Sequence, residues 1–405
     1  MKWIILLSIV PIIVSTEMMW LSLAPISSLA EDFYGVGSMS ITLCSMSFMM
    51  MFILFSLPAS WVIDKWGYKA SLLIGASITA VFGTLRALFA DDFTLVLIMQ
   101  FILAIGQPFL LNIATKVASD WFPLKDRSTA AGILTLAQYI GFIVPMAIAP
   151  AIAESSGIPT LFKWFASFAI LAACLAAAFV NLKPPAPLTN DSPAKQEVLR
   201  FESIRLLIAN KSYVLILLIS FISIGIFNTI LTLLETILIP RGFTSEEAGL
   251  VGAVFIVAGI IGAVVLPILS DRYRIRVPFF VSAIAILIPS YVGLTFVDQP
   301  VLVSIIAGIA GFMIMGVAPI LFQHGSEVAY PVQEGTSLGM ILLMGQVSGI
   351  AFVYLFEVLN DALGTIVWPM LLFVLLTIIM LPITFRIKES TLPVPTRNLG
   401  NNQPM

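Results

Sequence analysis

Ser60-Trp61-Val62-Ile63-Asp64-Lys65-Trp66-Gly67-Tyr68-Lys69 closes one long apolar run and opens the next. The runs on either side reach roughly 20 residues, the length at which a helix crosses the hydrocarbon of a bilayer. The pattern returns 207 positions later, where Asp271-Arg272-Tyr273 again follows an apolar run. Working outward, Trp121-Phe122-Pro123 ends a fourth run, and Ala329-Tyr330-Pro331 ends a tenth. Gln138 and Gly141 in the fifth run match Gln346 and Gly349 in the eleventh, at an offset of 208. Several matches at nearly one offset, at equivalent places in the order of runs, imply two related halves of six spans each. Both halves begin on the same side, so the repeats are parallel, about an axis along the membrane normal. Such halves can rock about a site at mid-depth.

Composition agrees. The chain is 405 residues long, 60% hydrophobic and 10% charged, with a mean hydropathy of +1.06. Soluble domains are about 45–50% apolar and about 25% charged, so a fold solvated by water is excluded and one solvated by lipid is expected. A net charge of -2 offers nucleic acid no hold. Cys44 and Cys174 both lie in apolar runs, and His324 is the single histidine. Neither a disulfide framework nor a metal site is implied, and no cofactor is expected. The chain shows no Ser-His-Asp set and no phosphate-binding loop, and glycines such as those of 249–262 fall inside spans, where small residues let helices approach. An enzyme is not expected.

Reading with a helix-length window gives twelve spans, hence an all-α membrane protein. They are Ile5–Ser28, Ser40–Ile63, Ala70–Ala90, Phe93–Ser119, Ser128–Ile152 and Leu161–Leu182, then Tyr213–Leu238, Glu247–Leu269, Val277–Val297, Pro300–Val328, Thr336–Leu359 and Leu363–Phe385. The first is read as a span rather than a cleaved leader, because apolar sequence continues past Val14 to Ala30. The expected domains are a first bundle over 1–182, a linker over 183–211, a second bundle over 212–388 and a disordered tail over 389–405. Of the 20 Lys and Arg, only Arg86, Lys163 and Arg241 fall on the side opposite the termini. Basic loops stay cytoplasmic, so both termini are expected in the cytoplasm, with the chain in the cell membrane.

The loop quoted first resembles the signature loop of the major facilitator superfamily, which runs Gly, then Asp-Arg-x-Gly-Arg-Lys. Ser60 stands here for the first Gly and Lys65 for the Arg. The resemblance implies a two-bundle transporter working by alternating access, with Asp64, Lys65, Gly67 and Lys69, and at the repeat Asp271 and Arg272, latching the cytoplasmic side. A narrower resemblance is to the feline leukaemia virus subgroup C receptor-related transporters of choline, ethanolamine or haem. It rests on Glu31-Asp-Phe-Tyr-Gly-Val36, Phe55-Ser-Leu-Pro-Ala-Ser-Trp61, Gly106-Gln107, Ser119-Asp-Trp-Phe-Pro123, Ser128-Thr129-Ala130 and Tyr330-Pro-Val-Gln-Glu-Gly-Thr336. It implies Trp20, Gln107 and Gln346 as choline-site residues. The family's span-seven aromatic falls on Asn228, Glu235 replaces an uncharged polar residue, and Glu17 replaces a small neutral one.

Residue chemistry adds weight to some of these. Carboxamides at hydrocarbon depth are costly unless paired, so Gln107, Gln138 and Gln346 either bond solute or join helices. Glu17 lies three residues from Trp20, on one helix face, and can hold a proton, balance a cationic solute, or pair with a polar neighbour. Glu235, Glu357 and Arg86 read as residues at the outer interface, with Arg86 snorkelling. His324 reads as a packing or gating residue. The expected solute is a small cationic amine or quaternary ammonium. Protons are a candidate coupling ion, which makes a proton-coupled exporter of drugs or metabolites the rival reading. A non-transporting receptor or lipid-sensing scaffold is the third. The lipid bilayer is the expected surrounding, and the working unit is expected to be a monomer.

Overall fold

A computed structural model describes residues 2–180, 201–332 and 334–389. Those residues form helices joined by short turns, with no strand among them. Eleven helices are long and apolar enough to cross a membrane: Lys2–Tyr34, Ser38–Leu88, Phe93–Trp121, Thr129–Ser156, Ile158–Phe179, Lys211–Arg241, Ser245–Tyr273, Val277–Phe296, Pro300–Val328, Gly335–Leu363 and Val367–Thr384. Ser38–Leu88 is two spans joined without a loop. It breaks at Gly67, whose φ of 81° and ψ of 168° are not helical. A residue with a Cβ pays heavily there, and glycine does not. With that break counted, the described residues contain the twelve spans expected, and they are numbered in that order below.

Two spans are interrupted in a way the apolar pattern does not reveal. Span one runs as helix Lys2–Trp20, passes through a short 3₁₀ turn at Ala24–Ile26, and resumes as Ser27–Tyr34. Pro25 lies in that turn. Span four is built of Phe93–Ala104, Gly106–Leu111 and Ala114–Trp121. Pro108 has no N–H to offer the Ala104 carbonyl, so the helical ladder cannot run through this point. The interruptions fall beside Trp20 and Gln107.

Glycine sets the closest helix contacts. Spans eight and ten meet where a methyl on Gly311 would overlap the Phe255 carbonyl oxygen, and one on Gly262 would overlap that of Phe312. This is the small-residue packing by which membrane helices associate without a hydrophobic drive between them. The halves join through span two on eleven, span five on eight, and the interruption of span one on seven. One glycine of the repeat reaches this joint. Gly141 presses span five onto Glu17 of span one within the first half, while Gly349 presses span eleven onto Asn228 of span seven within the second half and onto Met49 of span two across the joint.

Of the expected linker, residues 183–200 lie outside the described part. From Phe201 the chain is helical to Ala209. Asn210 then caps span seven, accepting from the backbone N–H groups of Ser212 and Tyr213 at 3.1 and 3.2 Å and donating to the Val328 carbonyl at 2.9 Å. Glu389, placed by the sequence at the head of the tail, accepts from the backbone N–H groups of Arg276 and Val277 at the start of span nine. Residues 390–405 lie outside the described part.

Candidate functional site

Between the halves lies a cavity of about 790 Å³. Its wall includes all five residues expected to bind solute: Glu17 and Trp20 on span one, Gln107 on span four, Asn228 on span seven and Gln346 on span eleven. Gln138 lines it too. Among the lining residues Glu17 is the sole carboxylate, and no Lys, Arg or His faces it. The site is therefore an isolated carboxyl group in a wall of amides, aromatics and aliphatics. Glu17 is 1% exposed, so its charged form is poorly hydrated and is favoured only with a cation nearby.

Of the two roles open to Gln107, the geometry shows the one that joins helices. Its Nε2 donates to both carboxylate oxygens of Glu17, at 3.2 and 3.1 Å. It orients the carboxylate as well as facing the cavity. The close approach at Gly141 puts span five directly behind Glu17, since a Cβ there would lie 2.5 Å from that of Glu17. Trp20 spends its indole N–H on the Ser45 carbonyl at 3.0 Å. Its ring stands edge-on to Phe142, 5.3 Å between centroids. Asn228 donates only a long hydrogen bond of 3.4 Å, to the Gly345 carbonyl.

Phe48, Phe52, Tyr139, Phe142, Phe227 and Phe322 complete an aromatic lining that the sequence reading missed. Asn228 cannot supply an aromatic wall, but these six can. A signal existed for one of them: Phe142 lies four residues from Gln138, on the same helix face.

One end of the cavity is shut. Glu235 on span seven accepts from the backbone N–H of Ser28 at 3.0 Å and from the Ser28 hydroxyl, and also from the Ser245 hydroxyl at 2.8 Å. Glu357 on span eleven accepts from the hydroxyls of Ser38 and Thr42 at 3.0 and 2.8 Å. Each glutamate belongs to the second half, and Ser28, Ser38 and Thr42 belong to the first. The reading of both as interfacial is corrected: they are 1% and 0% exposed. Hydroxyls from the facing half replace water as their partners. Arg86 is also fully buried rather than snorkelling. It donates to Ser22, Gln100 and Met19, and its guanidinium lies 4.2 Å from the centroid of the Phe162 ring. His324 is buried beside Phe280, 5.6 Å between ring centroids, and neither ring nitrogen has a partner among the described residues.

The other end points toward the basic loops. Asn112, Thr129, Gly132 and Leu338 line the cavity near the ends of spans four, five and eleven on that side. Asp64 and Lys65 of the signature loop make no bond to the other half among the described residues. Asp64 is exposed, with no hydrogen bond or ion pair among the described residues. Lys65 lies over the Trp61 and Trp66 rings at 4.7 and 5.8 Å. Asp271 makes one 3.7 Å contact, with Arg276, and Arg272 is exposed.

Twelve spans in two joined halves around a central cavity define a polytopic membrane transporter. The chain belongs to the Major Facilitator Superfamily, whose model matches residues 5–353. It is 29% identical to an uncharacterised transporter of that superfamily from Caenorhabditis elegans, over 90% of this chain and 65% of the relative. It is 28% identical to solute carrier family 49 member A3 of Xenopus tropicalis, over 90% and 79%, and 27% identical to a choline/ethanolamine transporter of Danio rerio, over 93% and 84%. A solved bacterial homologue of the human lysosomal transporter Spinster, in an inward-facing and unoccupied conformation, has the same fold. Its TM-score is 0.73 at 16% identity, covering 95% of this chain and 96% of that one.

Proposed function

We propose that this transporter carries an organic cation, an amine or quaternary ammonium, by alternating access between its two halves. The observation that carries the reading is Glu17, a lone buried carboxylate on the wall of the central cavity. A protein cation could neutralise it, but none lines the cavity, so the counter-charge falls to the solute or to a proton. Ring faces attract cations, and Trp20 with its aromatic neighbours supplies them. Relatives named as choline/ethanolamine transporters favour the same chemistry. Gln107 holds Glu17, while Asn228 and Gln346 face it from the other half. A solute among them bridges residues 1–182 and 212–388 and couples binding to rocking. The sealed end at Glu235 and Glu357 and the cavity reaching toward the basic loops fit one of the two access states. On the charge rule that state opens to the cytoplasm, with both termini there and the chain in the cell membrane.

The rival reading, a proton-coupled exporter, uses the same carboxylate. Binding of tetramethylammonium and choline to purified protein, followed by thermal shift across pH, separates the two. For an organic-cation site, both ligands raise the melting temperature, and Glu17→Gln reduces their affinity at least tenfold and removes its pH dependence. If Glu17→Gln binds them as well as the wild type but loses only accumulation driven by a pH gradient, Glu17 is the proton site and the solute charge is held elsewhere.

A further inference from the structure

The central cavity has a side arm of about 180 Å³ inside the second half. Its walls come mainly from spans seven, nine and ten, through residues such as Ile224, Ala283, Ile284, Leu287, Ala318 and Leu321. No charged residue lines it. A largely apolar space of this kind is filled favourably by hydrocarbon. The arm is continuous with the cavity: Tyr139, Phe227, Asn228, Phe322, Leu342 and Gln346 line both.

The polar groups are ordered along this path. Glu17 sits in the first half and the arm lies in the second. At the junction stand two amides with spare capacity. Asn228 makes only its 3.4 Å bond to Gly345, and Gln346 makes no hydrogen bond among the described residues. An amide facing a largely apolar space is stabilised when a ligand supplies the missing partner. A compact ammonium occupies the Glu17 end and leaves both the arm and these amides unfilled.

Resting on the organic-cation reading above, we infer that the solute is amphipathic: a cationic head at Glu17, a short hydrogen-bonding link at Asn228 and Gln346, and an apolar tail in the arm. The tail makes the second half a specificity element in its own right.

The test measures affinities of purified full-length protein, in one detergent and below micellar ligand concentrations, for tetramethylammonium and for butyl-, hexyl- and octyl-trimethylammonium. Wild type is compared with Ala283→Leu and Ala318→Leu, which fill the arm from different spans. Wild-type affinity should rise about three- to fourfold per added methylene until the arm is full. In both variants the rise should fall below about 1.5-fold per methylene, with tetramethylammonium bound within about twofold of wild type, which also shows that the variants are folded. Because the detergent is constant, partitioning of the tails cancels in the comparison. Equal slopes in wild type and both variants would place the tail elsewhere and overturn the inference. Tetramethylammonium binding with no gain from the tail in wild type would overturn it too, leaving the cation site intact. Absence of binding by every ammonium would sink the cation reading and this inference with it.

Discussion

At the scale of single residues, the cavity turns on what each polar side chain already holds. Trp20 has committed its N–H to the Ser45 carbonyl, so only its ring is available to a solute. Trp20→Ala should therefore weaken ammonium binding by about 2- to 30-fold, the range of a desolvated cation–π contact. Trp20→Phe should keep most of that affinity while costing some stability through the lost hydrogen bond. Equilibrium binding with a thermal melt on each variant checks both, and a Phe variant as weak as the Ala variant would show that the ring face is not the contact. Glu17 could be picked from the sequence because a charge at mid-span is costly and needs a reason. Its partner Gln107 was picked as well, but not the bond between them, because nothing in either run specifies which faces of spans one and four meet. Arg86 shows the same blindness more sharply. An arginine near a span end reads as snorkelling, and only the fold brings Ser22, Gln100 and Phe162 around it.

At the scale of elements, spans were legible, and so were the prolines able to kink them, but not which prolines interrupt a helix. Hydropathy registers the apolar length that a bilayer demands, and that length survives whether or not a helix breaks inside it. The breaks beside Trp20 and Gln107 depend on Pro25 and Pro108 in context, whereas Pro145, Pro150 and Pro267 sit inside continuous helices. Glycine was read as permitting close packing, and the contact of spans eight and ten shows where that matters. Gly311→Ala forces a methyl against the Phe255 backbone, which cannot rotate away. Overpacking of this kind costs about 1–3 kcal/mol, so the variant should melt measurably below wild type and give less folded protein. Gly339→Ala on span eleven, where a Cβ meets nothing within 4 Å, should melt with the wild type. Equal melting of the two variants would mean that spans eight and ten can slide apart at little cost.

At the scale of the whole molecule, the two ends compete. The seal at Glu235 and Glu357 holds one end shut, and Asp64, without a partner among the described residues, is proposed to help hold the other end shut in the opposite state. A change at one end must then be readable at the other, because a two-state equilibrium responds only to differences between its states. Thr42→Val removes a donor to Glu357 and Ser28→Ala one to Glu235, each worth about 0.5–1.5 kcal/mol because Ser38, the Ser28 backbone N–H and Ser245 still satisfy the carboxylates. Either alone should move the equilibrium roughly 2- to 13-fold away from the sealed form. Asp64→Asn weakens the opposing latch and should move it back, so Thr42→Val with Asp64→Asn should lie between the single variants. Thr129 offers the readout, since it is exposed and lines the cavity near the basic loops. In a Cys174→Ser background, with Cys44 buried, Thr129→Cys should react with a membrane-impermeant maleimide in inside-out vesicles and not in right-side-out cells. Thr42→Val should slow that labelling, and adding Asp64→Asn should speed it again. Labelling only from the outside would reverse the orientation proposed from the basic loops. Rates unmoved by Thr42→Val and Ser28→Ala would mean that the hydroxyl–carboxylate bonds fill space at a joint whose balance is set elsewhere, and rates unmoved by Asp64→Asn would leave the signature loop with an orienting role alone.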